Sequence, residues 1–95
     1  MSSDNNIPSN KTLINSVKIA IKEDKAIMLD YYMDSICGKC IIGKNSETDE
    51  MILVKNEEEY TSPISKIYKV ENEYIITTEN SIYIVSSSIV TKKIT

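Results

Sequence analysis

Cys37 and Cys40, in the run CGKC, are the residues whose type and spacing point most directly at chemistry. A C-x-x-C pair works as a disulfide oxidoreductase when its first thiol sits at a helix N-terminus, where the dipole and free N–H groups favour the thiolate. Here the motif is followed by IIGK, a strand pattern, and DSI with Gly38 reads as a turn; the strand-to-helix context is missing. A structural zinc site takes four Cys or His ligands. With two Cys and no His, one chain supplies only half a site, and a zinc would have to be shared between two chains. The expectation is therefore two ordinary thiols, one of them entering the core at the start of a strand. No metal, cofactor or catalytic residue is assigned.

The second candidate is acidic. Glu47, Asp49 and Glu50, then Glu57, Glu58 and Glu59, flank the segment MILVK. Calcium loops place carboxylates at alternating positions with a glycine at the sharp turn. NSETDE has no glycine, and three consecutive glutamates cannot converge on one ion, so both runs read as solvated loops. An acidic face that meets a basic partner is the functional alternative.

The third candidate is aromatic. Six tyrosines stand in a chain with neither Phe nor Trp. Most of them suit the margin of a core, but exposed ones make a surface that reads bases or proteins. Tyr31 and Tyr32 are expected on opposite faces of a strand, one inside and one outside.

Much chemistry is removed by what is absent. The chain has no His and no Arg, and all eleven basic residues are lysines. Triads built on His, imidazole metal ligands and bidentate guanidinium forks are all excluded. A net charge of −3 with scattered lysines argues against duplex nucleic acid or an anionic membrane as the main partner. The polar start MSSDNNIPSNK lacks the pattern of a signal peptide, and no apolar run approaches the ~20 residues of a membrane span. A soluble cytoplasmic protein is expected.

Elements must position these residues. Residues 1–10 read as a disordered tail and residues 11–95 as a single small domain, whose 95-residue chain allows one core. Over residues 12–22, Leu13, Ile14, Val17, Ala20 and Ile21 share a helical face, with Asn10 or Thr12 as N-cap. A strand alternation through Val17, Ile19 and Ile21 is the alternative, and it covers fewer apolar residues. Strands are predicted at 26–33, 40–44, 51–55, 64–70, 74–78 and 81–86, with a short edge strand at 89–94. Glu71-Asn72 and Glu79-Asn80 read as tight hairpin turns in which Asn takes the positive φ. A two-residue loop at Glu79-Asn80 pairs Thr77 with Ile82, Ile76 with Tyr83 and Ile75 with Ile84. Pro63, lacking an N–H, belongs at the mouth of the 64–70 strand, with Thr61 or Ser62 satisfying nearby backbone groups.

Seventeen isoleucines favour strands. The fold expected is mainly β (α+β): a small bent antiparallel sheet or SH3-like barrel of five to six strands with one N-terminal helix. The runner-up is a sheet with one helix packed on its open face.

At Thr61, Ser62, Pro63 and Ile64, followed by Thr78, Asn80, Ser81 and Tyr83, the chain resembles small proteins of giant DNA viruses and bacteriophages that carry a T-S-P-[IV] segment and then a T-x-N-S-x-Y strand. The resemblance implies a viral accessory protein and brings no catalytic residues with it. The functional expectation is a non-enzymatic binding module that engages a host or viral protein or a small ligand, with a homodimer as one form. Tyr60, Thr61, Ser62, Thr78, Asn80, Ser81 and Tyr83 form the candidate surface. The alternatives are a barrel that binds nucleic acid or nucleotides through exposed tyrosines, and a structural virion or assembly protein.

Overall fold

In the computed structural model, which describes residues 7–94, the chain is a mainly-β α+β domain with seven strands. The order is α1 (Asn10–Glu23), β1 (Ala26–Met28), α2 (Tyr32–Ile36), β2 (Ile41–Lys44), β3 (Met51–Val54), β4 (Ile64–Val70), β5 (Glu73–Thr78), β6 (Ser81–Ser86) and β7 (Val90–Lys93). One sheet has the order β1-β6-β5-β4, the other β3-β2-β7.

The C-terminal meander forms as its turns require. Thr77 faces Ile82, Ile76 faces Tyr83 and Ile75 faces Ile84, the register that a two-residue loop imposes. The positive φ falls elsewhere than expected: Glu71 takes it (φ 53°), and neither turn asparagine does. A bulge between Ile64 and Lys66 breaks the β4–β5 register just after Pro63.

The antiparallel expectation holds for three pairings only. β1 runs parallel to β6 and β2 parallel to β7, so both sheets are mixed. Residues 26–33 do not form one strand. β1 stops at Met28, and Tyr32–Ile36 is a short helix opened by the Tyr32 N–H bonding to the Leu29 carbonyl at 3.1 Å. Tyr31 and Tyr32 do go to different layers, Tyr31 into the core between the sheets and Tyr32 to Glu73 on the helix side, but neither is on the surface: both are buried.

Alternation along the strands sorts the residues into layers. Tyr74, Ile76, Tyr83 and Val85 face Ile42 and Leu53 of the second sheet, with Tyr31 and Cys40 completing the core between them. Glu73, Ile75, Thr77, Ile82 and Ile84 face the other way, under the helices. All five are buried. The domain is thus three layers: helices, the four-stranded sheet and the three-stranded sheet.

The helix from residue 10 bears out the helical reading of 12–22, and it turns much of the shared apolar face outward. Its N-cap is Ser9, not Asn10 or Thr12: the Ser9 hydroxyl accepts the Thr12 N–H at 3.2 Å. Asp24 ends it in the left-handed region, which explains why EDK breaks the helix. The buried positions are Thr12 and Ser16. Ile14, Val17 and Ile21 face solvent at 56%, 48% and 77% exposure.

The buried carboxylate of Glu73 accounts for this orientation. It accepts the Ser9 N–H (3.3 Å), the Thr12 hydroxyl (2.5 Å) and the Tyr32 hydroxyl (3.0 Å). A buried charge requires such partners, and only the Thr12 side of α1 offers them. Of the tail expected at 1–10, residues 1–6 lie outside the described residues, while Pro8 is buried and Ser9 is tied to the helix and to Glu73.

Candidate functional site

The outer face of the three-stranded sheet is apolar and only partly covered: Ile41, Ile52 and Val54 are half-buried, Gly43 lies under Ile94, and Val90 is exposed. Because Ile42 and Leu53 point into the core, Ile41 and Gly43 on β2, Ile52 and Val54 on β3, and Val90 and Lys92 on β7 point outward; the observed register places them side by side. Ile52, Val54, Asn56, Glu57, Tyr60 and Ile94 line a groove of about 410 Å³. Gly43 lets Ile94 fold across it, since a Cβ there would lie 2.7 Å from Ile94 Cγ2.

Tyr60 stands at the lip of this groove and is 60% exposed. Two neighbours fix it. It bridges to Val54, and Thr61 is clamped on Leu53: its N–H donates to the Leu53 carbonyl (2.9 Å) and its hydroxyl accepts the Leu53 N–H (3.1 Å). The preceding EEE run is a tight turn in which Asn56 Oδ1 accepts the N–H groups of Glu58 (2.8 Å) and Glu59 (3.0 Å). Glu59 pairs with Lys55 at 3.9 Å. Glu57 and Glu58 are exposed and make no ion pair among the described residues, leaving an acidic rim beside Tyr60.

The seven residues expected to form one surface are divided. Ser62 and Asn80 do meet, Asn80 Nδ2 donating to Ser62 Oγ at 3.3 Å, which joins the TSPI segment to the TENS turn. Thr78 is buried, and its hydroxyl accepts the N–H groups of Asn80 and Ser81 at 3.2 Å each. Thr61 is buried with its hydroxyl fully used. Tyr83 packs on the core with its ring edge-on to Tyr31, 5.2 Å between centroids. Ser81 is half-buried. Of the seven, Tyr60, Ser62 and Asn80 remain available to a partner, and Tyr60 is on the groove. The residues that sequence reasoning missed are Ile52, Val54, Gly43 and Ile94. For Ile52 and Val54 the one signal is that MILV is apolar at every position, which a strand with one wet face does not require.

The two thiols of the CGKC motif are free, Cys37 exposed and Cys40 buried. Cys37 closes α2 at its C-terminal end and Cys40 is buried ahead of β2, so the helix beside the CGKC motif ends there instead of starting. Burial pushes the Cys40 thiol up to about 11, Asp34 adding to the effect and Lys55 opposing it. Burial likewise raises Tyr31 to about 12, with Tyr83 and Glu59 contributing, and raises Tyr32 to about 12 with help from Glu73. Among the described residues no three His, Cys, Asp or Glu side chains are grouped to hold a metal, and no helix is long and apolar enough to cross a membrane.

No family model matches the chain, and no curated protein or solved structure matches it significantly.

Proposed function

We propose that this chain is a non-enzymatic protein-binding module whose contact surface is the outer face of the three-stranded sheet. The observation that carries the reading is Tyr60: a mostly exposed aromatic ring, held by a backbone bridge, at the lip of an apolar groove. Interfaces are built this way, with an aromatic anchor beside an apolar centre and a polar rim that excludes water. Ile41, Ile52, Val54, Val90 and Ile94 supply the apolar centre, and Glu57, Glu58 and Lys92 the rim. The T-S-P-I resemblance supports a viral accessory setting, in which the partner is a host or viral protein. The acidic rim favours a protein over a polynucleotide, because phosphates are repelled by carboxylates beside the ring.

Replacing Tyr60 with a photo-crosslinking phenylalanine analogue in expressing cells tests this reading. A discrete covalent adduct is expected, absent when the same group replaces the exposed Lys66 of β4, which pairs with Thr77 on the helix-facing side of the four-stranded sheet. Equal, diffuse labelling from both positions, or none from either, would overturn it.

A further inference from the structure

The helix face that α1 turns to water is a second apolar surface, with Ile14, Val17 and Ile21 exposed and Leu13 half-buried at its edge, and it is built unlike the groove. Leu13, Ile14, Val17 and Ile21 fall within one third of the helix circumference, and Leu13, Ile14, Val17 and Lys18 bound a shallow apolar depression. From Ile14 to Ile21 the stripe runs about 10 Å. Lys11, Lys18 and Lys22 lie seven and four residues apart and so line a single edge of it. All three are exposed and make no ion pair among the described residues.

The two surfaces complement each other. The stripe is aliphatic with lysines along one edge; the groove is aliphatic and aromatic with Glu57 and Glu58 on one rim. They cannot meet within one chain, because α1 packs on β1, β5 and β6 while the groove lies on β3 and the C-terminal strand, across the four-stranded sheet. Stripe-to-stripe pairing is less suited. An antiparallel two-fold pairing brings the lysine edge of one helix against the lysine edge of the other, a like-charge contact.

We infer that the occupant of the Tyr60 groove is the α1 stripe of a second copy of this chain, with Lys18 and Lys22 of one copy against Glu57 and Glu58 of the next. Such a contact is head-to-tail. Each copy keeps one free groove and one free stripe, so association continues past the dimer into a ring or an open chain. Apolar burial supplies the affinity, and the charges fix direction and register.

This inference rests on the reading of the outer sheet face as a binding surface. Two variants separate it from other outcomes. Ile14→Glu with Val17→Glu disables the stripe, and Glu57→Lys with Tyr60→Ser disables the groove; all four positions are exposed, so the fold is retained, as circular dichroism checks. In sedimentation analysis with Cys37 kept reduced, the wild type should form dimers and larger species as concentration rises. Either variant alone should be monomeric. Their equimolar mixture should form a dimer and stop, because one stripe and one groove survive. Glu57→Lys with Glu58→Lys should weaken wild-type association about tenfold, less at high salt.

A wild type that stays monomeric to roughly millimolar concentration would overturn the inference. So would a mixture that remains monomeric, or a groove variant that still dimerises through its stripe. The crosslinking analogue at Tyr60 gives a readout independent of the variants: a wild-type adduct of twice the chain mass, joined at residues 13–21, is expected. An adduct to a different protein, with the purified chain monomeric, would sink self-docking and leave the binding surface intact. Absence of any adduct removes both.

Discussion

Replacing Glu73 by alanine should cost the domain about 3 kcal/mol of stability, because this carboxylate ties β5 to both the start of α1 and Tyr32. It accepts three hydrogen bonds, of which those from Thr12 and Tyr32 are short and buried. Each bond to a charged acceptor contributes about 1.5–3 kcal/mol, which sets a gross loss of roughly 3–6 kcal/mol for the two. Two effects offset part of it. Desolvating the carboxylate is itself unfavourable, and the Thr12 and Tyr32 hydroxyls have second acceptors in the Val70 carbonyl (3.4 Å) and the Ile7 carbonyl (3.2 Å). A domain of this size has about 5–14 kcal/mol in hand, so the melting temperature should fall by roughly 15 °C. Glu73→Gln should cost only about 1 kcal/mol. Its carbonyl oxygen can serve Ser9 and Thr12, and its amide can donate to Tyr32, whose own hydroxyl then donates to Ile7. Urea unfolding followed by tyrosine fluorescence and circular dichroism measures both variants, and amide exchange in α1 reports whether the helix loosens first. An alanine variant within ~0.5 kcal/mol of wild type, or a glutamine variant as damaged as alanine, would refute the account of why α1 docks by its polar side.

Alkali should unfold the domain through Tyr31, Tyr32 and Cys40. Both tyrosines are held near 12 against an ordinary value of about 10, and Cys40 near 11 against about 9. The unfolded chain therefore releases these protons first, and stability, fully present below pH about 9, falls as pH rises through 10 to 12. The two tyrosines together give a slope on the order of 2–3 kcal/mol per pH unit near pH 11, read as urea midpoints across a pH series; an unchanged slope in Tyr31→Phe would contradict this. The same substitution should have opposite signs at two threonines. Thr61→Val removes the acceptor of the buried Leu53 N–H and should destabilise by about 1–2 kcal/mol. Thr77→Val replaces a buried hydroxyl that has no partner among the described residues and should be neutral or stabilising by up to about 1 kcal/mol. Equal midpoint shifts for the two would sink the distinction.

The parts of the fold that were legible in the sequence are those specified locally. β4, β5 and β6 follow from alternation bounded by two-residue turns, and loop length alone fixed the Ile76–Tyr83 register. The parts that were not legible depend on partners far along the chain. Nothing near Thr12 announces that its hydroxyl will meet Glu73, sixty-one residues away, so the apolar stripe of α1 does not tell which side of the helix packs. Parallel pairing leaves no turn signature, which hid the β1–β6 and β2–β7 contacts. At the candidate site, Tyr60 could be found because an aromatic beside three glutamates is conspicuous. Ile52, Val54 and Ile94 could not, since an isoleucine facing water has the same local pattern as one facing a core.

The two parallel pairings also bear on the order in which the domain can fold. The β4–β5–β6 meander closes with two short loops, but β1 must wait for β6 and β2 for β7, each some fifty residues downstream. Entropy of such long closures is regained only after both sheets assemble, so folding should proceed from the meander outward and reach completion on the slower, millisecond-to-second scale of non-local β topologies. Substitutions at Ile75 or Ile84 should then slow folding, and ones at Ile42 or Leu53 should chiefly hasten unfolding, a division that stopped-flow chevrons would expose. Until β7 docks, β2 and β3 present an unpaired edge, and the last strand acts as the latch that retires it.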